Sequence, residues 1–299
     1  MNRRNFIQRT AVAAASASVL SGWSFAAPAK TLTGIQLYSV RDDMKADPLG
    51  TLRKVAAMGY KYVEHAGYRD RKFYGYAPKE FKKIMDDLGI RMPSGHTVLG
   101  KPHWDEAKKQ FTDLWKQTVE DAAIAGQQFV ISPSIDMSIR TDLSMLDKYM
   151  DIFNKSGELC NTYGMKFGYH NHDFEFSEKL AGKSLYDHIL TKTDPKLVMQ
   201  QLDIGNLFNG GAVALDVVTR WPGRFESMHV KDEIKSSSGH EKYESTILGE
   251  GIVEVKKVID IGRKSGGTIH FIVEQESYQG KTPLDSIKRD LEIMKAWGY

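Results

Sequence analysis

The chain alternates between short β-rich runs and longer amphipathic helical patterns. Runs rich in β-branched and aromatic residues predict eight strands, at residues 33–38, 60–64, 91–96, 129–133, 166–170, 198–203, 226–230 and 268–274. Between them, apolar residues recur every three or four positions, as at Leu146, Tyr149, Met150 and Phe153. Strands that alternate with helices pair in parallel. Eight such units favour an α/β fold that closes into a single (β/α)8 TIM barrel over an open sheet.

Residues 1–29 differ from the rest of the chain and predict an export signal. The pair Arg3-Arg4, followed by an aromatic and an aliphatic residue, resembles the twin-arginine signature. The apolar run after it is shorter than the roughly 20 residues that a membrane-spanning helix needs. We therefore expect the twin-arginine machinery to export a folded protein to the periplasm. Its mature part, residues 30–299, is predicted to be one barrel domain without stable membrane insertion.

Composition and charge narrow the class of protein. The chain is 41% hydrophobic and 26% charged, which is ordinary for a globular domain. Three arginines of the predicted signal account for the formal net charge of +3, so the remainder is nearly neutral and offers no basic surface for nucleic acid. The one cysteine, Cys160, cannot form a disulfide within the chain. It lies in a predicted helix and is interpreted as a core residue.

Two connections are longer than a barrel requires. Residues 233–251, after the seventh strand, are polar with a Ser-Ser-Ser-Gly tip. We interpret them as a lid or substrate-binding loop, with a tolerated insertion as the alternative. Residues 66–77, after the second strand, are rich in aromatic and basic residues and are predicted to form a wall of a pocket. Both follow strands and therefore lie on the face where barrels build active sites.

Four consecutive strand ends carry side chains that bind metal ions, namely His170, Asp203, His229 and Glu274. Neighbouring strands lie about 4.8 Å apart, so inward-pointing side chains at their ends converge over the barrel axis. Two imidazoles and two carboxylates suit Mn, Fe, Co or Zn better than Mg or Ca. A single strand-end histidine could simply bind backbone, but four potential ligands in a row predict one divalent metal ion.

Other polar residues near these strand ends are candidates for catalysis and substrate binding. A metal ion polarises a carbonyl group, and a nearby carboxylate or imidazole can then remove a proton from the adjacent carbon. The predicted catalytic residues are Glu274 as base, His170 or His172 as proton donor, and Lys231 as hydrogen-bond donor to substrate oxygens. The predicted substrate contacts are Gln36, Tyr38, Glu64, His96 and Asn206. For Glu64 and His96 a purely structural role stays equally open.

The same stretches resemble the sugar phosphate isomerase/epimerase group of xylose isomerase-like barrels, which includes ketose 3-epimerases, hydroxypyruvate isomerase and inosose dehydratase. The segments are GIQLYSVRDD (34–43), GYKYVEHAGY (59–68), YHNHDFEF (169–176), LDIGN (202–206), MHVKD (228–232) and VEQE (273–276). The resemblance covers essentially the whole chain after the signal and is closest to exported, poorly characterised members. It implies one divalent metal ion at the four strand-end positions, with substrate bound through a carbonyl and a vicinal hydroxyl.

One departure from this group bears on the reaction. Where the epimerases and hydroxypyruvate isomerase place a glutamate, this chain has His170, in the run His170-Asn171-His172. The paired-glutamate mechanism therefore cannot be transferred intact. An isomerase or epimerase of a keto sugar or related polyol is the leading prediction. A lyase or dehydratase that eliminates β to the carbonyl of a keto sugar, keto-glycoside or inosose is close behind.

Two further classes of protein share features with this sequence. A non-catalytic periplasmic sugar-binding protein is an alternative, although a complete set of metal ligands argues against it. An apurinic-site endonuclease has a related barrel but would need more metal ligands and a basic groove for DNA. We therefore expect a small carbohydrate substrate and no nucleic acid. A homo-oligomeric assembly stays open.

Overall fold

Eight parallel strands close into a barrel in this computed structural model, which confirms the predicted fold. The structure describes residues 31–236 and 242–299; the predicted export signal and residues 237–239 of the serine-rich tip lie outside the described residues. The strands, numbered β1 to β8, are Leu32–Gln36, Tyr62–His65, Arg91–His96, Phe129–Ser132, Lys166–His170, Val198–Asp203, Ser227–Val230 and His270–Val273. Each strand pairs with the next along the chain, and β8 pairs with β1. The predicted ranges for β3, β5 and β6 match residue for residue.

Helices follow the strands and cover the outside of the barrel. Numbered α1 to α12, they are Arg41–Ala46, Pro48–Met58, Pro78–Asp87, Asp113–Ala125, Met137–Arg140, Leu143–Asn161, Phe174–Ser177, Leu185–Lys192, Ile204–Asn209, Ala214–Arg220, Val255–Ile261 and Pro283–Ala296. Short 3₁₀ turns lie at Leu37–Val40 and Lys101–His103, and a π turn lies at Gly262–Gly266. No helix among the described residues is long and apolar enough to cross a membrane.

Helix α6 shows how the apolar periodicity builds the outer layer. Its N-cap, Asp142, accepts a hydrogen bond from the backbone N–H of Met145. The residues of the predicted apolar stripe, Leu146, Tyr149, Met150 and Phe153, are all buried. Cys160, on the same helix, is also buried, and burial raises the pKa of its thiol to about 12. It is a core residue, as predicted.

Strand β5 illustrates the alternation that separates the two sides of the barrel wall. Phe167 points outwards, where its ring lies 4.9 Å from that of Phe153. Gly168 points inwards, and a Cβ there would come within 2.7 Å of the Met199 sulfur and 3.0 Å of Ile131. The barrel interior is therefore packed with side chains at this level, and the strand ends above it carry the polar residues.

Short antiparallel strand pairs lie within both long connections. Strands Asp232–Lys235 and Tyr243–Thr246 pair within the insertion after β7, and Tyr68–Arg69 pairs with Lys72–Phe73 after β2. Similar two-residue pairs occur at Trp104–Asp105 with Gln110–Phe111 and at Lys179–Leu180 with Lys183–Ser184.

Buried carboxylates anchor both long connections. The Asp232 carboxylate accepts hydrogen bonds from the backbone N–H groups of Glu233, Gly249, Gly251 and Val253. In the other connection, Asp121 accepts from Tyr68 and Arg71, at 2.8 Å and 2.7 Å. The described part of each connection is thus fixed at its base by a buried carboxylate.

Candidate metal-binding active site

A cavity of about 660 Å³ lies over the carboxyl ends of the strands. Seven of the predicted site residues line it, namely Tyr38, His96, His170, His172, Asn206, Lys231 and Glu274. The connection after β2 adds Ala66, Tyr68 and Arg69 to its wall, as predicted. The cavity is within the range of about 300–1,000 Å³ typical of small-molecule sites.

The four predicted metal ligands meet at the floor of this cavity. His170, Asp203, His229 and Glu274 each offer one nitrogen or oxygen atom, and these atoms lie within 4.8 Å of one another. All four residues are buried. The paired register of β6 and β7 sets Asp203 beside His229, which places both at one level of the barrel. A second group, which adds His96 to His170 and His229, overlaps with the first.

Asp203 directs one carboxylate oxygen at this cluster. Its Oδ1 accepts the backbone N–H of Asn206 at 2.7 Å and so caps helix α9. Asn171 holds its backbone, accepting from the Asp203 N–H at 2.9 Å and donating to its carbonyl at 3.2 Å. Oδ2 is buried and makes no hydrogen bond of good geometry with the described residues, although Lys231 Nζ lies 3.1 Å away.

Glu64 orients His229, one of the four predicted metal ligands. Glu64 Oε1 accepts from His229 Nε2 at 2.6 Å, which leaves Nδ1 facing Glu274, 3.1 Å away. When a carboxylate accepts a hydrogen bond from the ring nitrogen that does not bind the metal, it fixes the orientation of the histidine and raises the basicity of the ligand nitrogen. Burial alone would lower the pKa of His229, but Glu274 and Glu64 raise that pKa well above its usual value. A proton and a divalent cation therefore compete for Nδ1.

Glu64 is itself held by a buried set of donors, and here the structure corrects an expectation. It accepts hydrogen bonds from Gln36 Nε2 at 2.8 Å, from Ser94 Oγ, and from Gln201 Nε2 at 2.8 Å. Gln36 and Glu64 are fully buried and do not line the cavity, which is contrary to the substrate contact predicted for Gln36. For Glu64 it favours the structural role that the sequence left equally open. Burial would raise the pKa of Glu64, but His96 and His229 hold it well below its usual value.

Gln201 connects the two remaining histidines. Its Oε1 lies 3.0 Å from His170 Nδ1 and 2.7 Å from His96 Nε2. Its Nε2 donates to Glu64 and to Ser227, so its amide oxygen must accept from both rings. Burial and the neighbouring imidazoles of His229 and His96 lower the pKa of His170 well below its usual value. His170 is thus a neutral ring with Nδ1–H committed to Gln201 and Nε2 facing Asp203.

Lys231 sits among three carboxylates at the cavity wall. Its Nζ lies 3.1 Å from Asp203 Oδ2, 2.9 Å from Glu274 Oε2 and 2.7 Å from Glu276 Oε2. Gly205 makes room for it, since a Cβ there would lie 2.7 Å from the lysine side chain. Burial would lower the pKa of Lys231, but Asp203 and Glu274 raise it well above its usual value. Lys231 is therefore a fixed cation at the edge of the cluster.

Glu274 is a carboxylate that both borders the cavity and reaches the cluster. It follows β8, and its backbone N–H donates to the Val230 carbonyl at 3.2 Å. Burial would raise its pKa, but Lys231 and His229 hold that pKa well below its usual value. Glu274 is therefore ionised and able to accept a proton.

His172 follows His170 by two residues and lies beside the cluster, in the lining of the cavity. The two rings are 5.3 Å apart, and the buried His172 Nδ1 has no hydrogen-bond partner among the described residues. Its backbone N–H donates to the buried Glu175 at 2.8 Å, and Tyr169 donates to the other oxygen of that carboxyl. Burial raises the pKa of Glu175 to about 8. Glu175 thus positions the turn that carries His172.

The remaining predicted contacts occupy the rim. Asn206 Oδ1 accepts from Lys231 at 3.3 Å, and its Nδ2 donates to the Asn171 carbonyl at 3.2 Å. Tyr38 is partly exposed and lines the cavity, and its contact with substrate stays a prediction. Gln201, Ser94 and Glu276 were not predicted from the sequence. Gln201 precedes Asp203 by two positions, and Glu276 follows Glu274 by two, so the period of a strand could have indicated both.

The residues present fit a divalent metal ion. The buried Asp203 Oδ2 lacks a good hydrogen-bond partner, which a cation would supply. The tautomers of His170 and His229 leave one nitrogen of each ring facing the carboxylates. In the structure, Lys231 and His229 balance the charge of Asp203 and Glu274 instead.

Comparison with known proteins gives related sequences. A family model described as xylose isomerase-like TIM barrel matches residues 52–297. Inosose dehydratase of Geobacillus thermodenitrificans (strain NG80-2) is 28% identical over 142 residues, 44% of this chain and 47% of the relative. That match therefore spans about half the relative's length. Inosose dehydratase of Lacticaseibacillus casei is 25% identical over 243 residues, 72% of this chain and 80% of the relative.

Solved structures share the barrel. A sugar phosphate isomerase/epimerase from Parabacteroides distasonis ATCC 8503 has a TM-score of 0.76 and 25% identity, over 93% of this chain and 97% of that protein. The IOLI protein, solved with a bound zinc atom, has a TM-score of 0.68 and 12% identity, over 89% of this chain and 97% of that protein. At 12% identity this second likeness concerns the fold alone.

Proposed function

Because this chain belongs to the xylose isomerase-like TIM barrel family, we propose that it is a metal-dependent carbon–oxygen lyase. Its substrate is a keto sugar, keto-glycoside or inosose, from which it eliminates water or an alcohol β to the carbonyl. The family includes both dehydratases and isomerase/epimerases. Both reactions begin by removing a proton from the carbon next to a carbonyl group, and they differ in the steps after it.

The cluster at the cavity floor would hold the metal ion through His170, Asp203, His229 and Glu274. Such an ion, when bound, acts as a Lewis acid that polarises the substrate carbonyl. Transition-metal ions with mixed nitrogen and oxygen ligands, such as Mn, Fe, Co or Zn, suit this set.

We favour elimination over epimerisation because both ring nitrogens of His170 are already engaged. Nδ1–H donates to Gln201, and Nε2 faces the metal cluster, so neither is free to accept a proton from substrate. An epimerase needs a second base on the opposite face of the carbon, because the proton must be removed on one side and returned on the other. Here the His170 position does not provide one.

The chain's own residues supply the proton transfers that elimination needs. The Glu274 carboxylate removes the α-proton, and Lys231 donates a hydrogen bond to the oxygen on which negative charge develops. The electron pair of the broken C–H bond forms a carbon–carbon double bond as the β carbon–oxygen bond breaks. The leaving oxygen then takes a proton, either from Glu274, which has just acquired one, or from His172 at the cavity wall.

Isomerisation or epimerisation is the second candidate function. It is favoured by the likeness to the Parabacteroides distasonis isomerase/epimerase, which covers most of both chains. It would require His172 to act as the second base, because that ring borders the cavity. A sugar-binding protein without catalysis is a third candidate.

Product analysis separates these candidates. Metal-loaded protein is incubated in deuterated water with a panel of ketoses, keto-glycosides and inososes, and the products are followed by NMR. We expect an unsaturated ketone and released water or alcohol, with Glu274→Gln inactive and Glu276→Gln as the matched control. An isomeric sugar carrying deuterium at the α-carbon, without elimination, would contradict the lyase proposal and favour the epimerase. Binding without any product would favour the sugar-binding protein.

A further inference from the structure

The cavity over the metal cluster shares part of its wall with a second cavity of about 830 Å³. Tyr38, Ala66, Tyr68, Arg69 and Asp70 line both. Each cavity alone is within the size range of about 300–1,000 Å³ typical of small-molecule sites. The pair therefore suits a substrate with two parts better than a single free sugar.

The second cavity is positively charged. Arg41, Lys45, Arg69 and Lys72 line it, against one lining carboxylate, Asp70. Arg69 lies 3.4 Å from Asp70, with side chains 91% and 85% exposed, so water screens this pair strongly. Lys45 and Lys72 make no ion pair within the described part of the chain. Three cations therefore face the cavity without a compensating carboxylate.

Arg41 is held rigidly but is not neutralised. Its guanidinium donates to the Tyr38 carbonyl at 3.3 Å, the Tyr278 hydroxyl at 3.2 Å and the Glu276 carbonyl at 3.3 Å, all uncharged acceptors. It also lies 4.8 Å from the centre of the Tyr38 ring. Since a guanidinium has five N–H donors, two stay unused among the described contacts. By contrast, Arg71 donates two hydrogen bonds to the Asp121 carboxylate.

The walls around these cations are largely apolar. Leu37, Met44, Pro48 and Tyr74 line the second cavity beside Tyr38 and Tyr68. A third cavity, of about 590 Å³, also has Tyr38 and Arg41 in its wall. Its lining acids are Asp173, Glu233, Glu244 and Glu276, against the cations Arg41 and Lys242. An anionic group therefore meets more cations than carboxylates in the second cavity and fewer in the third.

We propose that the second cavity is a subsite for an anionic, ring-containing aglycone attached to the sugar in the metal cavity. Arg41 and Lys45 bind the anionic group, and the ring packs on Tyr38 and Tyr74. A carboxylate matches the two unused donors of Arg41, because a guanidinium pairs with a carboxylate through two parallel hydrogen bonds. The inference rests on the proposed function, since the aglycone would be the group eliminated.

Binding of unreactive glucosides tests the subsite apart from catalysis. Isothermal titration of the metal-loaded full-length protein compares phenyl β-D-glucopyranoside with its 4-carboxyphenyl analogue. A third ligand, the 6-phosphate of the phenyl glucoside, places the charge on the sugar instead. We expect the carboxylate on the ring to improve affinity by about tenfold, as for one additional charged hydrogen-bonded contact. The sugar phosphate should give no such gain.

Matched variants locate the effect. Arg41→Gln and Lys45→Gln should each reduce the preference for the carboxylate, whereas Lys54→Gln, an exposed lysine outside the cavity, should not. Equal affinity for the charged and neutral glucosides, no binding of either, or a gain only for the sugar phosphate would overturn the subsite. Charge preference without turnover of any keto sugar would contradict the proposed function alone. Turnover without charge preference would contradict the subsite alone.

Discussion

Replacing Glu64 by glutamine should weaken metal binding without touching a metal ligand. Glu64 accepts hydrogen bonds from Gln36, Ser94, Gln201 and His229, which is the full complement of a buried carboxylate. A glutamine keeps only one acceptor oxygen, and its NH₂ group would face at least one of these donors. His229 would then lose either its partner or its fixed orientation.

The magnitude follows from the position of Glu64 behind a histidine of the proposed metal site. Substitution of such a residue typically lowers metal affinity by about 10- to 100-fold. That range corresponds to about 1.4–2.7 kcal/mol of binding free energy. Ser94→Ala is the matched control, because it removes one neutral donor to the same carboxylate and leaves the bond from His229 intact. It should cause a smaller loss.

The assay is competition for zinc or manganese between the purified mature protein and a chromophoric chelator. Circular dichroism of each variant reports whether the barrel is folded. A folded Glu64→Gln protein that binds the metal as tightly as the parent would refute the role assigned to Glu64. It would also leave His229 without the feature that selects Nδ1 as the ligand atom.

Three further outcomes are expected. If residues 1–29 are the twin-arginine signal that we propose, Arg3→Lys with Arg4→Lys should retain the folded protein in the cytoplasm, because the arginine pair would be the recognition element; unchanged recovery in the periplasmic fraction would mean another route. His170→Glu should raise epimerase activity relative to elimination in the product assay, since it supplies a second carboxylate; an unchanged ratio of products would contradict this. Asp290→Asn should stabilise the protein at pH 8 but hardly at pH 4. Burial raises the pKa of Asp290 to about 7 from the usual 3.8, so its stabilising contribution is complete below pH 4 and is lost as pH rises through about 7. The loss amounts to about 4 kcal/mol, at 1.36 kcal/mol for each pKa unit. Urea unfolding of the parent and the Asp290→Asn protein at pH 4 and pH 8 measures this difference in the free energy of unfolding. Equal stability of the two proteins at pH 8 would contradict the raised pKa of Asp290.

The fold was predictable because strand and helix periodicities are local. Eight β-rich runs and the intervening apolar stripes indicated the number of units, and eight parallel units favoured a closed barrel over an open sheet. The strand ends then placed His170, Asp203, His229 and Glu274 on one face. Their convergence needed only the spacing of neighbouring strands, because these four residues end consecutive strands.

Contacts across the barrel were not predictable in the same way. Glu64 on β2 meets His229 on β7, and these strands are not neighbours. Their contact depends on the width of the barrel and on which residues of β1 and β3 lie at the same level, as Gln36 and Ser94 do. The sequence therefore indicated that Glu64 is near the site but not that it lies beneath it. The unneutralised Arg41 likewise depends on which acids fold next to it.

Exchange of the substrate's α-proton tests the central claim that Glu274 is the single base. Metal-loaded parent, Glu274→Gln and Glu276→Gln proteins are compared in deuterated water with whichever keto sugar of the panel reacts, and deuterium incorporation and product are measured by NMR. An amide cannot accept a proton at pH 7, so Glu274→Gln should slow proton removal by roughly 10²- to 10⁴-fold while part of the metal stays bound. Glu276→Gln should retain most of the rate. Proton removal by Glu274→Gln at the parental rate would place the base elsewhere and contradict the mechanism.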